Sequence, residues 1–550
     1  MRAPPGLSFE KERFSTATEF FASGWGERAA EVERRTVRRR WLRWLVPDLA
    51  LVASLFTLFY CLIPFDAPRE FFRDSSTGWH IITGQNILDQ GRFPETDPYS
   101  FVRAGQPWFA WDWGADCFVG GMERQAGLTG VTWIFALAIM AVTWFWFRLH
   151  WAVNGNVALA CLIFPVMLGA ASRQWTATPH LFGWILMLIT VRLLENSRAR
   201  EHEPARTGVF AFHLKHAVLF GVAAALWANL QASFWFLPAV AALYAASHLL
   251  RPMIWNLNER IEWQMARWYA WAAAFALAGS MINPYGLRPY RHALQSFFNG
   301  SLASGSAGDP WMFAATGIAV LGGVLALGQK KLAHFLLAAL LLAAAFGPAH
   351  LAGVPAIVLL PLANGSITDA LRKAHDHRPR LRARIHAFLL FSDRLRLIDG
   401  RLRGMWLALV AAVGSFVWLL IPSIDAHTGF APDRFPVYAA GELVNLPASA
   451  RLLAPAIYSS YIIYRYRGER RVFLEGPFEL YGKPRIEEYN HLMEVRPGWQ
   501  DEIRAFGITH ALLPGDHPLT AALSQSGWRI QFRDDTSSLF VNPLEDRLRE

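Results

Sequence analysis

The stretch RDSSTGWHIITGQNILDQGRFPETDPYSFVRAGQPWFAWDW, from Arg73 to Trp113, directly follows an apolar run long enough to span a bilayer. It contains four aspartates, one histidine and a row of aromatic residues. Polar side chains beside a membrane span cost free energy unless they line a cavity or serve a function. A membrane tether needs none of these polar and aromatic residues, so this stretch indicates a functional site at a membrane surface.

The composition of the whole chain predicts a polytopic membrane protein. Only 17% of the 550 residues are charged, whereas soluble domains carry about 25%, and the mean hydropathy is +0.21. The net charge of +10 does not indicate nucleic acid binding, because the arginines cluster beside hydrophobic segments, where they set topology. We expect membrane lipid, and no nucleic acid, among the partners.

Eleven apolar segments follow one another through residues 45–422. A bilayer-spanning helix needs about 20 mostly apolar residues, and several of the segments are shorter. The pattern predicts an all-α polytopic membrane domain of about 11 transmembrane helices, preceded by a basic segment at residues 1–44. The segments are 45–64, 128–148, 156–171, 180–194, 212–230, 234–250, 265–282, 311–328, 332–349, 351–365 and 405–422.

Arginine and lysine positions predict the orientation of these segments. Alternate loops are basic, and the richest of them is 366–404, whereas the intervening short loops hold only Arg173, Arg288 and Arg291. Because cytoplasmic loops carry the excess of positive charge, we predict a cytoplasmic N-terminus. An odd number of spans then places the C-terminus outside, together with a large first external loop at residues 65–127. That loop is expected to form interfacial amphipathic helices around residues 76–91 and 111–125.

Residues 423–550 differ in character from the apolar segments before them. Short runs rich in β-branched and aromatic residues alternate with helical patterns and turn sequences such as LPGDHP. We predict a small extracytoplasmic α/β domain. Its predicted strands are SSYIIYRY (459–466), RRVFLEG (470–476), ITHALLP (508–514) and SSLFVNP (537–543), and its predicted helices are 497–507 and 517–528.

Polar residues concentrate where these predicted helices open to the outside. A carboxylate can activate or orient an acceptor hydroxyl, while cations stabilise a leaving phosphate. Asp74 follows the first span closely and is the candidate catalytic base. The other candidates are predicted to bind substrate, no metal ligands are assigned, and a need for a divalent metal stays open. These substrate-binding candidates are His80, Asp97, Asp112, Arg173, His180, Asn229, Gln231 and Arg288.

Each candidate also has a simpler interpretation. Polar loop residues cap helices, and tryptophans such as Trp79 and Trp108 anchor membrane interfaces as well as stacking on sugars. Asp97 precedes Pro98 in TDPYS, where an aspartate commonly serves a turn through its side chain. The convergence of the set on one side of the membrane favours function more than any single member does.

The motif DSSTGWHIITGQNILDQGRFPETDPYSF resembles the first external loop of bacterial multispanning proteins related to the GT-C superfamily of glycosyltransferases. The resemblance continues through TPHLFGWILML, LWANLQASF, NPYGLRPY and RVFLEGPFELYG. It implies a polyprenyl-phosphate-linked sugar as donor, a catalytic acid matching Asp74, and a location in the bacterial inner membrane. The chain departs from the family pattern at Thr178, at Gln231 and at Glu475.

Three functions follow from these observations. The first is a glycosyltransferase that moves a sugar from a polyprenyl-phosphate donor to an envelope acceptor at the periplasmic face. The second is a non-catalytic membrane protein of envelope assembly whose outer domain docks partners. The third, a transporter, is disfavoured because the acidic residues lie outside the predicted spans, apart from Asp48.

Overall fold

A computed structural model describes residues 45–64, 66–74, 76–199, 214–291, 309–345, 353–373, 379–476 and 480–543. The predicted basic segment 1–44 lies outside these residues. Each of the eleven predicted apolar segments falls on a helix. In chain order the helices of the bundle are α1 (Leu49–Leu62), α2 (Ala67–Glu70), α3 (Ser76–Gln90), α4 (Trp113–Ala152), α5 (Val157–Ser172), α6 (His180–Ala199), α7 (Leu214–Leu230), α8 (Phe236–Trp255), α9 (Glu259–Ser280), α10 (Pro310–Gly328), α11 (Leu332–Ala345), α12 (Val354–Lys373), α13 (Pro379–Asp399) and α14 (Met405–Leu419).

Four helical segments of the described chain are long and apolar enough to cross a membrane: Trp113–Ala152, Ala232–Trp255, Pro310–Gly328 and Val354–Lys373. Five further apolar helices have 10–17 residues. The chain is therefore a mostly helical membrane protein, and the count of eleven spans stays a prediction. The second of the four segments joins α8 to the short 3₁₀ helix Ala232–Trp235 that precedes it.

The ends of the helices far from the first loop are joined by buried contacts between histidine and glutamate side chains. His334 of α11 lies 2.9 Å from Glu195 of α6, which also accepts a 2.7 Å hydrogen bond from the hydroxyl of Tyr244. His248 of α8 lies 2.7 Å from Glu262 of α9. Buried polar groups are tolerated when they are hydrogen-bonded, so these contacts stabilise the packing of four helices.

The first loop does contain the two predicted helical segments, and α3 is enclosed by protein, so its position at the membrane interface stays a prediction. Its residues from Thr77 to Gln85 are all buried, because α4 packs on one side of α3 and a helix of the C-terminal region packs on the other. Gly84 permits this packing, since a Cβ there would overlap the carbonyl oxygen of Asp116. The second segment is the first part of α4, which bends at Gly127 (φ 62°).

The C-terminal region (residues 423–543) contains a four-stranded sheet whose strands lie in the order β1 (Leu452–Leu453), β2 (His510–Pro514), β4 (Ser537–Val541) and β3 (Arg529–Arg533). β1 runs parallel to β2, and β4 pairs antiparallel with β2 and β3. The helices of the region cover a second apolar core. Its elements are α15 (Pro422–Asp425), α16 (Val437–Glu442), β1 (Leu452–Leu453), α17 (Ala456–Arg465), α18 (Gly482–Met493), α19 (Trp499–Phe506), β2 (His510–Pro514), α20 (Pro518–Gln525), β3 (Arg529–Arg533) and β4 (Ser537–Val541).

Two predicted strands of this region are wrong or incomplete. SSYIIYRY lies mostly in helix α17, where Tyr458, Tyr461 and Ile462 recur at helical spacing and are buried. RRVFLEG forms only isolated bridges, in which Val472 pairs with Ser100 of the first loop and with Leu452. The predictions at 508–514 and 537–543 are confirmed as β2 and β4, and those at 497–507 and 517–528 as α19 and α20.

Candidate active site

Three separate parts of the chain meet where α4 begins. The carboxylate of Asp112 accepts a 2.7 Å hydrogen bond from the backbone N–H of Ala232, in the connection between α7 and α8. Trp113 Nε1 donates to the side-chain oxygen of Asn229 over 3.0 Å, and the amide of Asn229 donates to the carbonyl of Ile282 over 2.7 Å. The first loop, the α7–α8 connection and the end of α9 therefore form one site.

A buried His–Asp pair lies at the centre of this site. His80 Nδ1 lies 2.6 Å from Asp116 Oδ1, and both side chains are buried. The close approach of α3 to α4 at Gly84 brings the two residues together. Sequence reasoning missed Asp116, although its spacing from Asp112 is one helical turn, which places both carboxylates toward the same side of α4.

Asp74 lies at the start of α3 and is exposed. Its carboxylate accepts a 2.9 Å hydrogen bond from the backbone N–H of Ser76. Burial by itself lowers the pKa of His80, but the carboxylates of Asp116, Asp112 and Asp74 act in the opposite direction, and the net pKa of His80 is raised. The exposed carboxylate of Asp74 is therefore near enough to raise the pKa of His80.

Asp112 is half-buried and sits beside the same pair. Burial raises the pKa of Asp112 to about 7; the Asp116 carboxylate acts in the same direction, whereas His80 and the N–H of Ala232 oppose the rise. A carboxyl group with such a pKa can exchange a proton near neutral pH, which is the property required of a general acid or base.

The loop from Arg173 to His180 borders the segment that leads into Asp74. The N–H of Ala177 donates to the carbonyl of Phe71 over 2.7 Å. His180 is held inside its own loop, with Nδ1 at 2.5 Å from Thr178 Oγ1 and Nε2 at 2.7 Å from the carbonyl of Gln174. The hydrogen bond from Ala177 to Phe71 thus holds the loop against the segment that leads into Asp74. The two contacts of His180 stabilise the conformation of the loop.

Arg173 and Arg288 are the two exposed cations predicted to meet a phosphate. The guanidinium of Arg173 pairs with Asp309 at 2.9 Å, yet 69% of its side chain is exposed, whereas Asp309 is buried. Arg288 is exposed and pairs with no acidic side chain among the described residues. Both cations lie at the same end of the helical bundle as Asp112, since Arg288 follows α9 and Arg173 follows α5.

The side chains of Asn229 and Gln231 both form hydrogen bonds within the chain. The side-chain oxygen of Gln231 accepts from the N–H of Ser233 over 2.8 Å and so caps the 3₁₀ helix. Sequence reasoning missed Tyr285, whose hydroxyl accepts a 3.2 Å hydrogen bond from the N–H of Ala110. Its ring packs on Phe109 and Phe93, and the motif NPYG held the signal that could have identified it.

Asp97 lies apart from the His80–Asp116 pair, in a turn. Its buried carboxylate accepts from the N–H groups of Tyr99 and Ser100 over 3.0 and 2.9 Å, and it pairs with Arg103 at 3.3 Å. This is the turn geometry that an aspartate before a proline favours. A contact of Asp97 with substrate stays a prediction.

Among the described residues, no group of three or more His, Cys, Asp and Glu side chains is arranged to hold a metal ion. The need for a divalent ion stays open.

The fold is shared with solved structures of an archaeal oligosaccharyltransferase, a glycosyltransferase of the GT-C type. The apo enzyme from Archaeoglobus fulgidus superposes with a TM-score of 0.51 at 9% sequence identity, over 84% of this chain and 69% of that one. The same values hold for AglB from Archaeoglobus fulgidus in complex with an inhibitory peptide and a dolichol-phosphate. No protein-family model and no curated protein matches the chain by sequence. At this identity the likeness shows a shared fold alone.

Proposed function

We propose that the protein is a membrane glycosyltransferase of the GT-C type. It transfers a sugar from a polyprenyl-phosphate donor to an envelope acceptor at the periplasmic face of the bacterial inner membrane. The observation that carries the proposal is the meeting of Asp74, His80, Asp112 and Asp116 at one end of a helical bundle with the fold of an oligosaccharyltransferase. The C-terminal region, in this proposal, lies on the same outer side.

Asp74 is the group best placed to meet an acceptor. Its carboxylate is exposed, and its hydrogen bond to the N–H of Ser76 fixes its direction. In the proposed inverting reaction, Asp74 orients the acceptor hydroxyl and takes its proton. The hydroxyl oxygen forms a bond to the anomeric carbon as the bond from that carbon to the phosphate oxygen breaks.

The remaining charges support this displacement. The imidazole of His80, paired with Asp116, lies near the carboxylates of Asp112 and Asp74, which raise its pKa and so favour its positively charged form. The leaving lipid phosphate carries the negative charge away from the sugar, and an exposed guanidinium stabilises it through charge-assisted hydrogen bonds. Arg173 and Arg288 are the candidates for this role. The dolichol-phosphate in the archaeal complex supports a lipid-linked donor.

The substitution Asp74→Asn tests the proposal. It keeps the side-chain size and the oxygen that accepts from Ser76, but it removes the charge and the proton acceptor. We expect transfer from a radiolabelled polyprenyl-phosphate sugar to endogenous acceptor in membrane vesicles to fall by roughly 10²–10⁴-fold. Retention of the labelled donor by purified protein in nanodiscs should be nearly unchanged, because the acid acts on the acceptor.

Asp89→Asn is the matched control. Asp89 lies in the same loop at the far end of α3, where its exposed carboxylate pairs with Arg124, so transfer should stay at the wild-type level. If Asp74→Asn transfers sugar normally, Asp74 is not the catalytic base. If the wild-type protein neither binds nor consumes the donor, the glycosyltransferase proposal fails and the envelope-assembly function takes its place.

A further inference from the structure

One segment of the C-terminal region, residues 471–476, is inserted against the first loop. The N–H of Val472 donates to the carbonyl of Tyr99 over 2.9 Å, and the N–H of Phe101 donates to the carbonyl of Val472 over 3.1 Å. Ser100 Oγ donates to the carbonyl of Phe473 over 2.8 Å. The first loop is thus joined by backbone hydrogen bonds to the segment that also contacts β1.

Glu475, at the end of this segment, is fully buried. Its Oε1 accepts a 3.2 Å hydrogen bond from the indole N–H of Trp108, and its backbone N–H donates to the hydroxyl of Tyr481 over 3.3 Å. Its Oε2 has no hydrogen-bond partner among the described residues. A buried carboxyl with an unsatisfied oxygen destabilises a fold, so its presence here needs an explanation.

Two tryptophans connect this carboxyl to the candidate active site. Trp108 packs edge-on against Trp79, with ring centroids 6.3 Å apart. The ring of Trp79 stacks on His80 at 3.7 Å. Gly476 abuts the indole nitrogen of Trp79, and a Cβ at position 476 would overlap that nitrogen. The path from Glu475 to His80 therefore consists of aromatic rings in direct contact, whose mutual geometry is specific.

We infer that Glu475 and Gly476 are positioning residues, which hold Trp79 and Trp108 so that the imidazole of His80 keeps its contact with Asp116. The C-terminal region thereby completes the candidate active site on the membrane domain without contributing a group that touches substrate. The catalytic consequence rests on the proposed function, whereas the positioning of His80 does not.

The accessibility of His80 measures this positioning directly. Full-length protein in nanodiscs is treated with diethyl pyrocarbonate, and carbethoxylation of each histidine is quantified by peptide mass spectrometry. Gly476→Ala, which displaces Trp79, should raise the reaction rate of His80 several-fold. The rate at exposed His386 of α13 should not change. Gly515→Ala is the matched control, because a Cβ at position 515 meets nothing within 4 Å.

Substitutions at Glu475 separate positioning from a general loss of stability. Glu475→Gln keeps the acceptor for the Trp108 N–H and should leave the reactivity of His80 at the wild-type level. Glu475→Met keeps a similar side-chain volume but has no acceptor for the Trp108 N–H, so it should raise the reactivity of His80. Trp108→Phe removes the indole N–H that donates to Glu475 and should also raise the reactivity of His80. If Gly476→Ala does not fold, these three variants decide the question.

Unchanged His80 reactivity in folded Gly476→Ala, or in Glu475→Met and Trp108→Phe, would overturn the inference. Sugar transfer is measured on the same samples. Raised His80 reactivity together with reduced transfer supports the whole inference. A raised reactivity in a protein whose wild type transfers no sugar supports the positioning alone and refutes the proposed function instead.

Discussion

The aspartates of the first loop and of the start of α4 have different functions because their surroundings differ. The buried carboxylate of Asp97 accepts hydrogen bonds from two backbone N–H groups, so it stabilises a turn. Asp116 is buried against His80. Asp74 is exposed, and its carboxylate is near enough to raise the pKa of His80. One residue type thus supplies a turn, a partner for an imidazole and a candidate base.

Asp112 should make the stability of the protein depend on pH. Because its pKa is raised to about 7 in the folded state, the folded protein holds this proton more tightly than the unfolded chain. The stabilisation from the proton is complete below the unfolded pKa of about 3.9, and it is lost as the pH rises through about 7. Asp112→Asn keeps an acceptor for the N–H of Ala232 and removes the titration.

The Asp112→Asn protein should therefore melt a few degrees above the wild type at pH 8, and the difference should shrink steadily toward pH 4. Thermal unfolding in detergent across this pH range measures the melting temperatures of the two proteins. A difference that is independent of pH would show that Asp112 has an ordinary pKa. The same measurement on Asp89→Asn controls for the loss of a surface charge.

At the scale of elements, the decisive contact is the packing of α3 on α4. An isolated helix like α3 would lie at the membrane interface with one polar face, as its sequence suggests. In the folded protein it is enclosed by α4 and by α17, which packs on it from the C-terminal region. Tyr464 of α17 donates a 2.9 Å hydrogen bond to Glu123 of α4, so the three helices form one unit.

Gly84→Ala should separate α3 from α4 and break the contact between His80 and Asp116. The new Cβ would overlap the carbonyl oxygen of Asp116, and backbone can move only at the expense of neighbouring contacts. Overpacking of this kind typically costs about 1–3 kcal/mol. We expect a lower unfolding temperature and loss of sugar transfer.

Gly121→Ala is the matched helix variant for this test. A Cβ at position 121 lies at an ordinary 3.7 Å from Leu88, and alanine has the higher helix propensity. Its unfolding temperature should equal or exceed that of the wild type. Equal behaviour of the two variants would show that the α3–α4 contact is not tight at Gly84.

At the scale of the whole molecule, the site depends on all the candidate loops opening to one side. The contacts among the first loop, the α7–α8 connection and the end of α9 place these loops at one end of the bundle. The distribution of arginine and lysine predicts that this end faces the outside.

Reporter fusions decide the orientation. A reporter fused after Arg403, before α14, should give a cytoplasmic signal, and one fused after Pro432, beyond α14, should give an external signal. Alkaline phosphatase and a fluorescent protein that folds only in the cytoplasm provide opposite readouts at each position. Identical signals at the two positions would show that α14 does not cross the membrane and would contradict the predicted topology.

The sequence by itself determined the eleven apolar helical segments of the bundle, strands β2 and β4, and the concentration of acids after α1, but not helix α13 in the basic loop 366–404. These features depend on hydrophobic periodicity and turn chemistry, which are local. Tertiary structure decided the rest. It made α17 a helix, where an ambiguous run of tyrosine and isoleucine was resolved by burial against α3. It also brought Asp116 to His80 and Glu475 to Trp108, across 36 and 367 positions of the chain. Contacts at such separations depend on the packing of distant parts of the chain, and no local pattern records them.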